Sequence, residues 1–319
     1  MEHLFEKLNS IIKEYDNFII MGHKDPDLDS LGSSLALCEI IEVFGKKPYL
    51  FIDNKNFDNY NSNINQAFEK MEKDIICINK RNYNKIVGKT LLIIVDTHIS
   101  ERLEYPLLIK KYDTVVLDHH IKNKKYIKDT KFLYIDSNLS SMSELITYYA
   151  EYVNIDLDNV IATILLAGIE IDTNGFNVKT TSKTYEAAST LMEMGADSIL
   201  KQELLKESKE DYLKRATYIG SSFMIKENIA MCIINNNVTS KDLAEIAEEL
   251  LTFEEVEVSF VIGKLRDNLI GVSARSLGVI DVSETMKYMG GGGHSSNAAT
   301  QIKDKTLKEV KQEIIDLIK

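Results

Sequence analysis

Asn17-Phe-Ile-Ile-Met21 is an apolar run that breaks at once into Gly22-His23-Lys24-Asp25-Pro26-Asp27-Leu28-Asp29. A continuous rather than alternating run suits a strand buried on both faces, as in a parallel sheet covered by helices. The polar string behind it sits at the carboxyl end of that strand, where ligands gather in open α/β sheets. Two similar runs follow, Leu91–Val95 and Thr114–Leu117. Helical spacing fills intervals around them. Ser30 to Phe44 stops at Gly45, and Ser141-Met142-Ser143-Glu144 fits a capping box opening a helix to about Val153. Alternation of this kind predicts an α/β fold, a doubly wound, mainly parallel sheet domain over residues 1–200.

From Lys201 to Tyr218 the chain is densely charged with helical spacing, which predicts a connecting helix. Beyond it, strands at Ile229–Ile234, Val256–Leu265 and Leu269–Ser276 mix with helices at Lys241–Leu251, at Val282–Met289 and from Leu307. A glycine run and a short strand separate the last two helices. The expectation is a smaller mixed-sheet α/β domain over residues 219–319. A length of 319 residues accommodates two domains.

With 44% hydrophobic and 27% charged residues, the composition excludes a disordered, collagenous or coiled-coil chain. Apolar stretches such as Thr163–Ile171 fall far short of the ~20 residues that span a bilayer. No leader pattern opens the sequence, so the expectation is a soluble, cytoplasmic chain without a membrane segment. Cys38, Cys77 and Cys232 are odd in number and far apart, and build neither a disulfide framework nor a CxxC metal site. The net charge of −11 argues against a long nucleic acid as partner. It is compatible with an anionic substrate, because carboxylates gathered around divalent cations form a locally positive site.

The ends of the apolar runs carry the chemistry. The first ends in the His23, Asp25, Asp27, Asp29 string, the second in Asp96-Thr97-His98 and the third in Asp118-His119-His120. A fourth run, Ile164–Ile171, taken with these strand ends, closes in Asp172-Thr173-Asn174. Any one of these residues has an ordinary explanation: Asp29 as a helix cap, Asp172 as a turn former. Four successive ends bearing Asp or His do not. Carboxylates buried face to face repel unless cations lie between them. Imidazole with excess carboxylate and no thiolate favours a harder ion such as Mn²⁺. His23, Asp27, Asp29, Asp96, His119 and Asp172 suffice for two ions sharing a bridging carboxylate. Two ions about 3.5–4 Å apart clamp a phosphoryl group and hold a water as hydroxide near neutral pH. The pattern therefore reads as a phosphoester hydrolase.

The second signal is Gly290-Gly291-Gly292-Gly293-His294-Ser295-Ser296-Asn297. Consecutive glycines let backbone N–H groups approach a phosphate or a planar base, although a flexible linker has the same composition. Ser273 and Arg275 lie at alternate positions of the preceding strand and share a face. Arg275 has the geometry to fork onto a phosphate, or to form a surface salt bridge.

Taken together, these motifs resemble the DHH/DHHA1 phosphoesterases, with Asp118-His119-His120 as the DHH triplet. The resemblance runs from about Asn17 to Gln301. Residues 21–33, 95–98, 167–173, 271–276, 290–294 and 297–300 are most similar to the catalytic portion of the GdpP-type cyclic di-AMP phosphodiesterases. The resemblance implies two Mn²⁺ per chain and hydrolysis of cyclic di-AMP to linear pApA by two-metal-activated hydroxide. One metal would take His23, Asp27, Asp96 and Asp172. The other would take Asp29, Asp96, His119 and, as an option, Asp172. His120 would face the scissile phosphate with His98 nearby and Asp118 orienting the pair. Gly290, Gly291, Gly292, Gly293, His294, Ser273, Arg275 and Asn297 would hold the rest of the nucleotide. A homodimer is also implied. Asp25 stands where this branch commonly has Asn. The long form of the family places transmembrane helices, a PAS domain and a degenerate GGDEF domain ahead of this unit, so the sequence resembles a stand-alone relative or a shortened form.

Other readings use the same residues differently. A nanoRNA or pApA hydrolase of the same superfamily shares the metal ligands and differs only in its substrate cleft. A RecJ-like exonuclease would need a basic and aromatic tract that is missing here. Manganese pyrophosphatase shares the first domain's ligand pattern, but not GGGGH with Asn-Ala-Ala. A non-catalytic cyclic dinucleotide receptor would have lost ligands, and every ligand position is filled.

Overall fold

A computed structural model describes residues 1–52, 62–71 and 73–318, which form two compact units, Met1–Lys206 and Glu207–Lys319. The first unit runs α1 (Glu2–Lys13), β1 (Asn17–Met21), α2 (Leu28–Val43), β2 (Lys47–Phe51), α3 (Ser62–Lys70), β3 (Cys77–Ile78), β4 (Thr90–Val95), β5 (Asp113–Asp118) and β6 (Phe132–Ile135). Then come α4 (Met142–Tyr152), α5 (Asn159–Asp172), α6 (Ser182–Glu193) and α7 (Ser198–Leu204). Its sheet has the order β3-β2-β1-β4-β5-β6 with every pairing parallel. The order reverses between β1 and β4, and that reversal opens a crevice at the carboxyl ends of those two strands.

Within the strands, side chains alternate between two cores. Phe18, Ile20, Leu91, Ile93, Val95, Val115 and Leu117 pack under the α-helices. Ile19, Met21, Leu92, Ile94 and Val116 pack on the opposite face against Leu103, Leu108 and Ile127. Among the described residues the α-helices cover the first face, and irregular segments with short 3₁₀ turns cover the second. Right-handed crossovers explain the division. The links after β1 and β2 travel one way along the sheet and put α2 and α3 on one face. Those after β4 and β5 travel the other way, so residues 96–112 and 119–131 fall on the second face.

Two local readings change as well. The run Ile164–Ile171, grouped above with the strand ends, is the body of helix α5. A short apolar run buried on all sides gives no periodic signal, and α5 is enclosed by α2, α4 and α6. Its start is set by Asp158, whose carboxylate accepts the N–H groups of Val160 and Ile161. Residues 201–218, read as one connecting helix, hold the end of α7 and most of a separate helix, α8 (Lys209–Gly220), which Ser208 caps. The strands β2, β3 and β6 had no counterpart in the sequence reading.

The packing of α5 onto α2 is close enough to need glycine. A Cβ on Gly168 would lie 2.6 Å from Ser143 Oγ and 2.7 Å from Asp29 Cα, a backbone atom that cannot rotate away. Gly168→Ala is expected to cost ~1–3 kcal/mol through overpacking and to lower Tm by about 3–10 °C. It should also shift Asp29 and weaken any gain in Tm on adding Mn²⁺. Thermal denaturation with and without the ion checks both effects.

The second unit is a mixed sheet in the order β11-β12-β10-β9-β8-β7 with helices on both faces. After α8 it contains β7 (Phe223–Lys226), β8 (Ile229–Asn237), α9 (Ser240–Leu250), β9 (Val258–Arg266) and β10 (Leu269–Ser276). It ends with α10 (Val282–Tyr288), β11 (Gly292–Gly293), β12 (Asn297–Lys303) and α11 (Leu307–Leu317). Strands β8 and β9 pair in parallel and the other pairs are antiparallel. The smaller mixed-sheet domain expected from the sequence is what forms.

Candidate functional site

The first unit gathers all six expected metal ligands at the crevice. His23 follows β1 and Asp96 follows β4, the two strands at which the order reverses. Asp27 caps α2, its Oδ1 accepting the N–H of Ser30, so the cap is Asp27 rather than Asp29. Asp29 lies in the first turn of α2 and is completely buried. His119 follows β5. Asp172 arrives from the last turn of α5, a helix end rather than a strand end.

Asp96 is the hub of the cluster. Its Oδ2 lies 3.2 Å from His23 Nε2, and its Oδ1 lies 3.2 Å from His119 Nε2 and 3.5 Å from His120 Nδ1. His119 Nε2 is also 3.1 Å from Asp172 Oδ2 and 3.8 Å from Asp29 Oδ2. His23 Nε2 is 3.8 Å from Asp27 Oδ2. Three groups therefore converge closely enough to share an ion: His23, Asp27 and Asp96; Asp29, His119 and Asp172; and Asp96, His119 and His120. Asp172 falls in the group with Asp29 and His119. The first two groups, joined through Asp96, make a two-ion arrangement.

The residues fit divalent cations on three counts. Asp96 Oδ1 and both ring nitrogens of His119 are buried without a hydrogen-bond partner, an expensive condition for polar atoms unless something else satisfies them. Ligands about 2.1 Å from one ion at right angles stand about 3 Å apart, close to the shorter nitrogen–oxygen separations here. The charge balance agrees. Burial pushes Asp29 well above the usual carboxylate range, and Asp172 and Asp96 push it further. Burial also raises Asp172, which His119 only partly offsets. Asp172 additionally stands at the negative end of a helix, the wrong end for a carboxylate without a cation. Burial would lower His23, yet Asp27 and Asp96 overcome it and raise the imidazole to about 11. His119 is raised well above its ordinary value for the same reason, by the negative charge of Asp172 and Asp96 beside it. Burial works against ionisation of Asp96, but His119 and His23 hold its carboxyl at about 2. The cluster thus holds positive charge on its imidazoles, where metal ions would supply it.

Asp29 has a second task that the sequence does not advertise. Its Oδ1 accepts the N–H of Ser143 (2.7 Å) and its Oδ2 the N–H of Met142 (2.9 Å), so it closes the start of α4 from another helix. Ser141 Oγ accepts the next N–H, from Glu144. Only half of the expected capping box forms, since the Glu144 carboxylate accepts from Ser140 and Thr184 instead. The positive end of α4 steadies Asp29 in a place that burial makes costly.

Asp118 organises the histidines behind the cluster. Its Oδ1 accepts the backbone N–H of His120 (3.0 Å) and His120 Nδ1–H (2.8 Å), and its Oδ2 accepts His98 Nδ1–H. These bonds overcome burial and hold the Asp118 carboxyl far below the usual range. His120 keeps Nε2 free and is 39% exposed. His98 is different. It is buried, and its Nε2 accepts the N–H of Asn123 (2.8 Å), so both ring nitrogens are used inside the protein. His98 therefore lies near His120, as expected, and braces Asp118 with both of its ring nitrogens engaged. Asn123 acts through its backbone, which leaves no sequence signal.

The expected substrate-binding residues gather within the second unit. Arg275 on β10 pairs in register with Asn297 on β12. Its Nε donates to Glu248 (2.6 Å), and its Nη1 donates to Ser273 Oγ and the Ala274 carbonyl. The glycine run is partly a strand. A Cβ on Gly291 would meet the Ala299 carbonyl oxygen at 2.2 Å, and one on Gly293 would meet the Asn297 carbonyl oxygen at 2.3 Å. Close strand pairing therefore accounts for those two glycines, while Gly290 needs its φ of 82° and Gly292 has open space beside it. His294 is exposed at the tight turn that joins β11 to β12 through paired His294–Asn297 backbone bonds.

Comparison with known proteins agrees with this geometry. The family model described as DHH family, N-terminal domain, matches residues 17–169, and that of the DHHA1 domain matches residues 226–319. The chain is 37% identical to the cyclic-di-AMP phosphodiesterase GdpP of Geobacillus thermodenitrificans, over 98% of this chain and 48% of that protein. It thus spans about half the length of that relative. It is 27% identical to a probable bifunctional oligoribonuclease and PAP phosphatase, NrnA, of Streptococcus mutans, over 99% of both chains. A crystal structure of an exopolyphosphatase-related protein from Bacteroides fragilis superposes with a TM-score of 0.79 at 17% identity, covering 99% of this chain and 96% of that one. That likeness establishes the shared fold. No helix among the described residues is long and apolar enough to cross a membrane.

Proposed function

Because this chain belongs to the DHH/DHHA1 phosphoesterase family, we propose that it is a Mn²⁺-dependent phosphodiesterase that opens cyclic di-AMP to linear pApA. The observation that carries the reading is Asp96, a buried carboxylate whose two oxygens each face a different ligand group. His23, Asp27 and Asp96 would hold one ion, and Asp29, Asp96, His119 and Asp172 the other. When bound, two such ions supply an activated water and neutralise a phosphoryl group. The chain's own residues do the rest. Asp118 fixes the His120 ring through Nδ1, so that Nε2 meets the charge developing on the phosphoryl oxygens. His98 holds Asp118 in place. Ser273, Arg275, the 290–293 backbone, His294 and Asn297 bind the remainder of the nucleotide. The GdpP relative supports cyclic di-AMP as substrate. The family resemblance supports a homodimer, and cysteines free of disulfides are compatible with a cytoplasmic setting.

The test is chromatographic product analysis with Mn²⁺, offering cyclic di-AMP, cyclic di-GMP, pApA and pyrophosphate in parallel. The expected result is cyclic di-AMP converted to pApA that accumulates. Rapid loss of pApA with cyclic di-AMP untouched would replace this reading by a nanoRNA hydrolase. That second reading draws its support from the NrnA relative, which this chain matches along its whole length.

A further inference from the structure

Beside the metal centre, the first unit carries a hollow that none of the motifs predicted. It is open, has a volume of about 470 Å³, and is lined by the segment after β6 and the segment after α5. Both walls are tied to the site. The N–H of Asp136 bonds to the carbonyl of Asp118, and the Asp136 carboxylate then fixes Asn138 through its N–H and Nδ2, both at 3.0 Å. On the other side, Thr173 follows the ligand Asp172 directly. Its Oγ1 accepts the N–H of Phe176, and its carbonyl accepts those of Asn177 and Val178.

The lining has three features of a nucleotide site. Phe176 and Tyr185 stack with ring centroids 5.4 Å apart and planes 14° from parallel. Phe176 is partly buried against the core, while Tyr185 is 57% exposed, so a braced aromatic ring is offered to the solvent. Lys179 is exposed and has no ion-pair partner among the described residues, in a chain with surplus acid. Asn138 and Asn177 spend their Nδ2 groups on Asp136 and on the Asn174 carbonyl, which fixes both amides and leaves their Oδ1 atoms as acceptors. The backbone is held in an unusual state here: Phe176 has φ 64° and Lys179 φ 50°, left-handed values that bulky residues seldom adopt.

We infer that this hollow is a nucleoside subsite: Tyr185, backed by Phe176, stacks a base, Asn138 and Asn177 accept from its exocyclic amine, and Lys179 pairs with a phosphate. Stacking on an aromatic ring is available to any base, and the paired carbonyl acceptors suit an exocyclic amine such as that of adenine. The inference rests on the reading that the substrate is a dinucleotide, and names where its second nucleoside is held.

The test measures KM for cyclic di-AMP in Mn²⁺ and, separately, Kd for pApA by titration calorimetry in Ca²⁺. Tyr185→Ala is expected to raise both by about tenfold, the effect of one lost stacking contact. The increase in KM should exceed that for bis(p-nitrophenyl) phosphate, which has no base to stack. Tyr185→Phe keeps the ring and should keep most of the affinity. Tyr212→Ala, at a comparably exposed tyrosine in the second unit, should behave as wild type. Lys179→Ala should weaken pApA and flatten the salt dependence of its binding. If the wild-type protein ignores cyclic di-AMP, the proposed substrate fails while the pApA arm still decides the subsite. An unchanged Kd for pApA in Tyr185→Ala, or no pApA binding by the wild type, overturns the inference.

Discussion

Asp96→Asn is expected to reduce Mn²⁺-dependent hydrolysis by at least about a thousandfold, since the charge stabilisation contributed by a metal site is worth several kcal/mol and each 1.4 kcal/mol is tenfold. Asparagine is the informative replacement. Asp96 has φ 63°, a left-handed conformation that asparagine accepts and alanine does not, so Asp96→Ala would add backbone strain to the loss of a ligand. Asparagine keeps the shape and removes the charge that both groups share. No other residue of the cluster faces both His23 and His119 Nε2 at 3.2 Å, so none can substitute for it. A well-folded Asp96→Asn protein with wild-type turnover would rule out the shared-carboxylate arrangement.

The second large effect is the removal of divalent cations. Dialysis against EDTA is expected to abolish turnover, and Mn²⁺ to restore it. Stability gives an independent readout. An ion present at 100 times its Kd stabilises the folded state by about 2.7 kcal/mol, or about 5–10 °C in Tm for a domain of this size. Relief of the repulsion that raises Asp29 and Asp172 is part of what sets that Kd. Asp96→Asn should lose most of the Mn²⁺-induced shift. A Tm indifferent to millimolar Mn²⁺, or full activity after exhaustive chelation, would show that the cluster is not a metal centre.

These expectations depend unequally on sequence and structure. The strands β1, β4 and β5 and the ligands at their ends were legible because the code is local: an unbroken apolar run stops where the chain leaves the core, and a functional residue stands at the stop. The hairpin of β9 and β10 was legible for a similar reason, with Asn268 at φ 56° in its turn. Helix α5 was not. Its apolar run has no polar face to betray its period, because other helices surround it. The edge strands β3 and β6, and β2 beside β3, were missed because they are short or only partly buried, and carry weaker patterns.

By itself, then, the sequence determined a two-part α/β chain, a sheet with His and Asp at its strand ends, and six metal-ligand candidates, since each is written within a dozen neighbouring residues. Tertiary structure decided what those residues do besides. Asp29 closes the start of α4 across 113 positions of sequence, and Gly168 permits the approach of α5 to α2 that brings Asp172 to His119. His98 became a buried brace only when Asn123 and Asp118 met its two nitrogens. The Tyr185–Phe176 platform exists because α6 returns past the end of α5. Local patterning fixes which residues leave the core, but packing between distant elements fixes which atoms remain free for chemistry.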